Sequence, residues 1–302
     1  MSATILVLGA FILLWAQIPS SAESAFDEGR AFADLRALVE IGPRPSGSEG
    51  SVRAQEFIMD KLARSGLQVK EQSFVAHTPL GPKEMKNIIG IVPGQSNEIL
   101  LIGTHYETKF FSGMRFVGAN DGTSGTAVLL ELARCLQGRK YPLTIWLVFF
   151  DGEEAFVKWS GGDGLYGSTY MVECLKNSGE ISRMKAVLIL DMIGDAHLSI
   201  ESEMNSTDWL RAAVWSTAKT LGYNEQFSTN AIRIADDHIP FLKQGIPALD
   251  IIDFHYGPDS RTNEYWHTEQ DDLAHVSPQS LKIVGEVVLE SIPEITARIL
   301  RE

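Results

Sequence analysis

The chain has 302 residues, of which 44% are hydrophobic and 22% charged. That balance excludes a disordered or fibrous chain and suits a globular protein with one large domain or two small ones. A formal net charge of −13 argues against nucleic acid or an anionic membrane surface as a partner, since both would repel it. Two cysteines are too few for a disulfide framework or a thiolate zinc site, so any metal must be held by His, Asp and Glu.

Residues 4–15 (TILVLGAFILLW) form an apolar run shorter than the roughly 20 residues of a membrane span. Pro19, Ser20, Ser21 and Ala22 follow, and the small residues suit cleavage just before Glu23. Residues 1–22 are therefore expected to be a signal peptide, with an uncleaved amino-terminal anchor as the alternative because no Lys or Arg precedes the run. The mature chain, 23–302, is expected to be a single exported domain, secreted or periplasmic, with no stable membrane association.

Within it, residues 24–41 have helical character. The loop GPRPSGSEG at 42–50 is turn-rich, and Ser46 or Ser48 can cap a helix running to about residue 65. Strands are expected at 67–76, 87–93 and 98–105, then a helix at 123–138. LTIWLVFF at 143–150 is solidly apolar, as a strand covered on both faces should be. A helix near 166–177, a strand at 186–194, helices at 206–221 and 237–244, a strand at 247–253 and a helix at 277–299 complete the chain. Alternating strands and helices imply an α/β protein: a three-layer α/β/α sandwich around a mixed, mostly parallel sheet. Cys135 and Cys174 each fall in a helical stretch, and their pairing is open.

Ligands of such sheets bind beyond the carboxyl ends of the strands. Polar residues gather there: His105 after EILLIGT, Asp151-Gly152-Glu153-Glu154 after IWLVFF, and Asp191 after AVLIL. Asp121 lies in GANDGTSG, and Trp266-His267 in NEYWHTEQDD. Singly, each has a plain structural role; Asp121 could serve only as a helix N-cap. Together, so many carboxylates repel one another unless a divalent cation joins them. Adjacent glutamates such as Glu153 and Glu154 can point different ways, one toward a metal and one toward a substrate as a free base.

These segments resemble the zinc-dependent exopeptidase clan that includes aminopeptidases and animal-type glutaminyl-peptide cyclotransferases. THYET and GANDGTSG are similar to the clan at large and to its aminopeptidase branch. FFDGEEAFVKWSGGDGLYGS at 149–168, DDHIPFLKQGIP at 236–247 and WHTEQDD at 266–272 resemble the cyclotransferase branch. The resemblance implies one zinc held by Asp121, Glu154 and His267, with Glu153 as general acid/base and Asp191 and Asp236 as catalytic partners beside it. It also implies substrate contacts by Trp159, Trp266 and His238. The cysteine pair of animal cyclotransferases is missing, with Thr104 at one of its positions.

The expected reaction is cyclisation of amino-terminal glutamine in peptides or proteins to pyroglutamate, with release of ammonia, by a monomer. The alternative is a secreted aminopeptidase with a second zinc involving His105 and Asp191. A non-catalytic binding domain on the same fold is a further alternative.

Overall fold

The computed structural model describes residues 25–159, 162–259 and 262–301; the expected signal peptide lies outside them. The elements run α1 (Glu28–Ile41), α2 (Glu49–Arg64), β1 (Gln68–Thr78), β2 (Gly81–Val92), β3 (Ile99–His105), α3 (Ser124–Leu136), β4 (Thr144–Phe150) and α4 (Tyr166–Asn177). They continue β5 (Met184–Asp191), β6 (Ile200–Glu203), α5 (Asp208–Leu221), β7 (Phe227–Ile232), α6 (Ile239–Leu242), β8 (Ala248–Ile252) and α7 (Pro278–Ile299). Ser48 caps α2 by accepting the Ser51 amide at 3.1 Å, which satisfies one of the free donors of the first turn.

The central sheet has six strands in the order β1-β2-β4-β3-β5-β8. β1 and β2 form an antiparallel hairpin through Pro79 and Leu80, and β2 is antiparallel to β4. From β4 through β3 and β5 to β8 all neighbours are parallel. The mixed, mostly parallel sheet expected from the alternating pattern is therefore present.

Side chains along the inner strands alternate between two apolar layers. Leu100, Ile102, Leu147, Phe149, Leu188 and Leu190 pack beneath α1, α2, α3, α5 and α7. Leu101, Val148, Phe150, Val187 and Ile189 pack with Met171, Val172 and Leu175 of α4 and Phe241 of α6 on the opposite face. A strand buried on both sides has no polar face, so it reads as an unbroken apolar run. Each such Leu, Ile or Phe contributes on the order of 1.5–3 kcal/mol by leaving water. Cys135 in α3 and Cys174 in α4 are both free thiols.

Two strands had no counterpart in the sequence pattern. β6 (IESE) and β7 (FSTNAI) pair in parallel as a separate small sheet. Their short, polar segments lack the alternation that marks a strand. Helix α6 is also shorter than expected, a single turn over Ile239–Leu242.

Candidate active site

The carboxyl ends of β3, β4 and β5 carry His105, Glu153-Glu154 and Asp191 to one edge of the sheet. Two loops complete the site. The first, between β3 and α3, brings Asp121. It does not act as an N-cap: α3 begins at Ser124, and the capping position is Thr123. The second follows β8 and brings His267, whose backbone is left-handed at φ 57°. That region is unfavourable for most residues with a Cβ, though histidine enters it more readily than most.

Asp121, Glu154 and His267 converge. His267 Nε2 lies 2.6 Å from Glu154 Oε1 and 3.2 Å from Asp121 Oδ2. One ligand atom from each of the three lies within 4.8 Å of the others, and the two distances from His267 are no longer than the roughly 3.4 Å between neighbouring ligands of a tetrahedral zinc with bonds of about 2.0–2.1 Å. Asp121 Oδ2 is buried and faces only the His267 imidazole, at 3.2 Å, leaving a charged oxygen turned into the cluster. The donor set of one imidazole and two carboxylates fits zinc with one position open to substrate. A second group shares Asp121: His105 Nε2 lies 3.1 Å from Asp121 Oδ1 and 3.2 Å from Asp191 Oδ1.

The local charges follow from this crowding. Burial disfavours a charged His267, but its hydrogen bonds to Asp121 and Glu154 prevail and push its pKa to about 9. Burial also works against a charged His105, and Glu107, Asp121 and Asp191 together overcome it, so its pKa rises well above the usual histidine value. Asp121 is buried too, yet the two imidazoles hold it below the ordinary carboxylate range. Burial drives Glu153 well above the ordinary glutamate value; His105 opposes the rise, and Asp236, Glu154 and Asp237 add to it. Burial and the neighbouring Asp191 raise Asp236 to about 7. A carboxyl lifted toward neutrality in a cleft can both take and return a proton.

Glu153, Glu154, Asp121, Asp191, Asp236 and His267 all line one cleft of about 480 Å³, together with Trp159 and Trp266. The Trp266 ring lies flat against His267, 3.9 Å between centroids and 21° between planes. Trp159 stands at the cleft wall, 41% exposed. Its loop is closed by Asp163, which accepts the amides of Phe156, Val157 and Lys158 at 2.9, 2.9 and 3.0 Å.

Two residues expected near the chemistry lie elsewhere. His238 is fully buried behind Asp236, with Nε2 3.3 Å from Glu203 Oε2 and Nδ1 3.8 Å from Asp250 Oδ2. It is not part of the cleft lining, because the chain turns into α6 directly after Asp236 and carries the imidazole inward. Asp151, which opens the Asp-Gly-Glu-Glu run, also turns inward. It accepts from Ser46 Oγ at 2.5 Å, Tyr106 OH at 2.7 Å and the Lys86 amide at 2.9 Å.

Other contributors carried no clear sequence signal. Lys109 Nζ lies 3.1 Å from Glu154 Oε2 and donates to the Ala155 carbonyl at 2.9 Å, steadying that glutamate from the side. Arg44, from the GPRPSGSEG loop, is fully buried. Its guanidinium donates to the carbonyls of Tyr106 at 2.7 Å, Val117 at 2.7 Å and Gly118 at 3.2 Å, and to Thr123 Oγ1. It thereby ties the end of β3 to the loop that carries Asp121.

Comparison with known proteins shows the family. Residues 87–292 match the family model Peptidase family M28. The glutaminyl-peptide cyclotransferase of Gloydius blomhoffii is 32% identical over 295 residues, covering 84% of this chain and 78% of that protein. That of Bos taurus is 30% identical over 298 residues, covering 85% and 80%. The solved structure of Acidobacteriales bacterium glutaminyl cyclase superposes with a TM-score of 0.87 at 38% identity, covering 93% of this chain and 98% of that one. The chain belongs to peptidase family M28 and, within it, to the glutaminyl-peptide cyclotransferases.

Proposed function

We propose that this chain cyclises the amino-terminal glutamine of peptides or proteins to pyroglutamate and releases ammonia. The observation that carries the reading is the division of labour between neighbours: Glu154 joins Asp121 and His267, while Glu153 lines the same tryptophan-walled cleft without belonging to that triad. Membership among the glutaminyl-peptide cyclotransferases supports it.

Asp121, Glu154 and His267 would hold zinc. When bound, the metal supplies Lewis-acid polarisation of the side-chain amide oxygen. Glu153 takes a proton from the substrate α-amine as its nitrogen bonds to the side-chain carbonyl carbon. The same carboxyl then donates a proton to the amide nitrogen as that carbon–nitrogen bond breaks and ammonia leaves. Asp236 adds to the burial that raises the affinity of Glu153 for the proton it carries, and Asp191 lines the same cleft. Trp159 and Trp266 wall off a small side chain and exclude water. Nucleophile and electrophile belong to one residue, so the enzyme has little translational entropy to overcome.

The test is a product assay on a peptide beginning with glutamine, with and without a zinc chelator. The expected product has lost ammonia only, with every peptide bond intact, and chelator stops its formation. Release of free glutamine would instead identify an aminopeptidase. Among the described residues no helix is long and apolar enough to cross a membrane. The run at 4–15, ahead of small residues, supports export with cleavage before Glu23, which amino-terminal sequencing of the native protein would test.

A further inference from the structure

Asp271 lies four residues beyond His267 and is fully buried. Its Oδ1 accepts the amide of Asn120 at 2.6 Å and the phenol of Tyr256 at 3.3 Å, and its Oδ2 accepts the amide of Asp121 at 3.1 Å. Its backbone carbonyl accepts the amide of Ala119 at 3.3 Å. Three successive amides of the Asp121 loop therefore end on one residue of the His267 segment. The loop itself turns sharply, with Gly118 at φ 52° and Gly122 at φ 79°, and Arg44 grips it from the other side.

Burying a carboxylate is costly, and its charge is tolerated only where donors converge on it. Both oxygens of Asp271 accept a main-chain amide, whereas an asparagine in its place would turn an NH2 group toward one of the two. The side chain touches neither ligating atom. Its contacts set the spacing between the backbones that carry Asp121 and His267.

We propose that Asp271 is a positioning residue for the metal triad, fastening the Asp121 loop to the His267 turn so that the two ligands arrive in register. The inference rests on the reading of Asp121, Glu154 and His267 as zinc ligands. Groups that orient metal ligands from behind typically govern affinity by 10- to 100-fold, and a comparable effect is expected here.

The experiment compares the zinc dissociation constant of the wild-type full chain, Asp271→Asn and Asp272→Asn by chelator competition, together with the zinc-induced rise in Tm of each. Asp271→Asn should bind zinc roughly 10- to 100-fold more weakly and show a smaller zinc-induced rise. Asp272→Asn, altering the adjacent carboxylate that pairs with His275, should match wild type. A purely structural role for Asp271 would lower the apo and zinc-bound Tm equally and leave the affinity within about twofold, which overturns the proposal. If Asp271→Asn does not fold, Tyr256→Phe removes one donor from the same carboxylate. It should weaken zinc by roughly threefold or more, and an unchanged affinity there also overturns the proposal. A wild-type chain that binds no zinc would overturn the zinc reading itself, a result visible before any variant is compared.

Discussion

Asp121 Oδ1 and His105 Nε2 lie 3.1 Å apart, while the other oxygen of the same carboxylate faces His267 at 3.2 Å. This arrangement places the donor sets of one metal and of two in the same pocket. The cyclotransferase reading assigns His105 to hydrogen bonding with Asp121 and Asp191. The protein should then hold one zinc per chain, and His105→Asn should keep it. Elemental analysis of natively purified protein checks both statements; two zincs, falling to one in His105→Asn, would favour the peptidase chemistry.

Glu153→Gln should leave the fold and zinc content intact and lower turnover by roughly 10²- to 10⁴-fold, the usual contribution of a positioned acid/base. The amide keeps the shape of the side chain but cannot take up the α-amine proton. Steady-state kinetics at saturating glutamine peptide, paired with metal analysis, is the measurement. Activity near that of wild type would assign the base elsewhere.

Glu154→Gln and His267→Ala should each lower zinc occupancy after dialysis. His267→Ala deletes one of the three clustered ligands, and Glu154→Gln replaces a charged carboxylate by a neutral amide oxygen that binds zinc more weakly. Added zinc should restore activity only at concentrations well above those needed by wild type. Full metal content in both variants would remove them from the ligand set.

Acid should weaken the fold partly through Glu203. Burial favours its neutral form, but His238, the Asn205 amide and Ser206 outweigh burial and lower its pKa to about 2. The folded value lies below the unfolded one of about 4.3. Its stabilisation is therefore complete above that pH and is lost as the pH falls toward the folded value, a contribution on the order of 2–3 kcal/mol. Urea unfolding of wild type and Glu203→Gln at several pH values below 5 should show a flatter acid limb in the variant. Parallel limbs would mean that Glu203 does not contribute.

Arg44→Met should destabilise the protein by roughly 3–5 kcal/mol, since it leaves several buried acceptors without their donor. Arg44→Lys should recover only part of the loss, because an ammonium cannot serve Tyr106, Val117 and Gly118 together as the planar guanidinium does. Denaturant midpoints of the three proteins test the order.

The residues at the strand ends were legible in the amino-acid order. β3, β4 and β5 are covered on both faces, so their sequences are unbroken apolar runs, and the first polar groups beyond them fall on the ligand-binding edge. His105, Glu153, Glu154 and Asp191 could be found that way. Asp121, Trp266 and His267 stood out as loop residues near that edge, but their roles, and Asp236 altogether, were legible only through motifs similar to those of a known family, since their loops have no periodicity. β6 and β7 escaped because their segments are short and polar, and pairing alone makes them strands. Tertiary structure alone decided that His238 faces inward toward Glu203 and Asp250, that Asp151 serves the interior, and that Arg44 and Asp271 hold the Asp121 loop from two sides. Much of what Arg44 and Asp271 bind is main-chain amide and carbonyl. Those groups are the same in every residue, so no side-chain pattern announces them, and only the folded chain brings residues 120 and 271 within 2.6 Å.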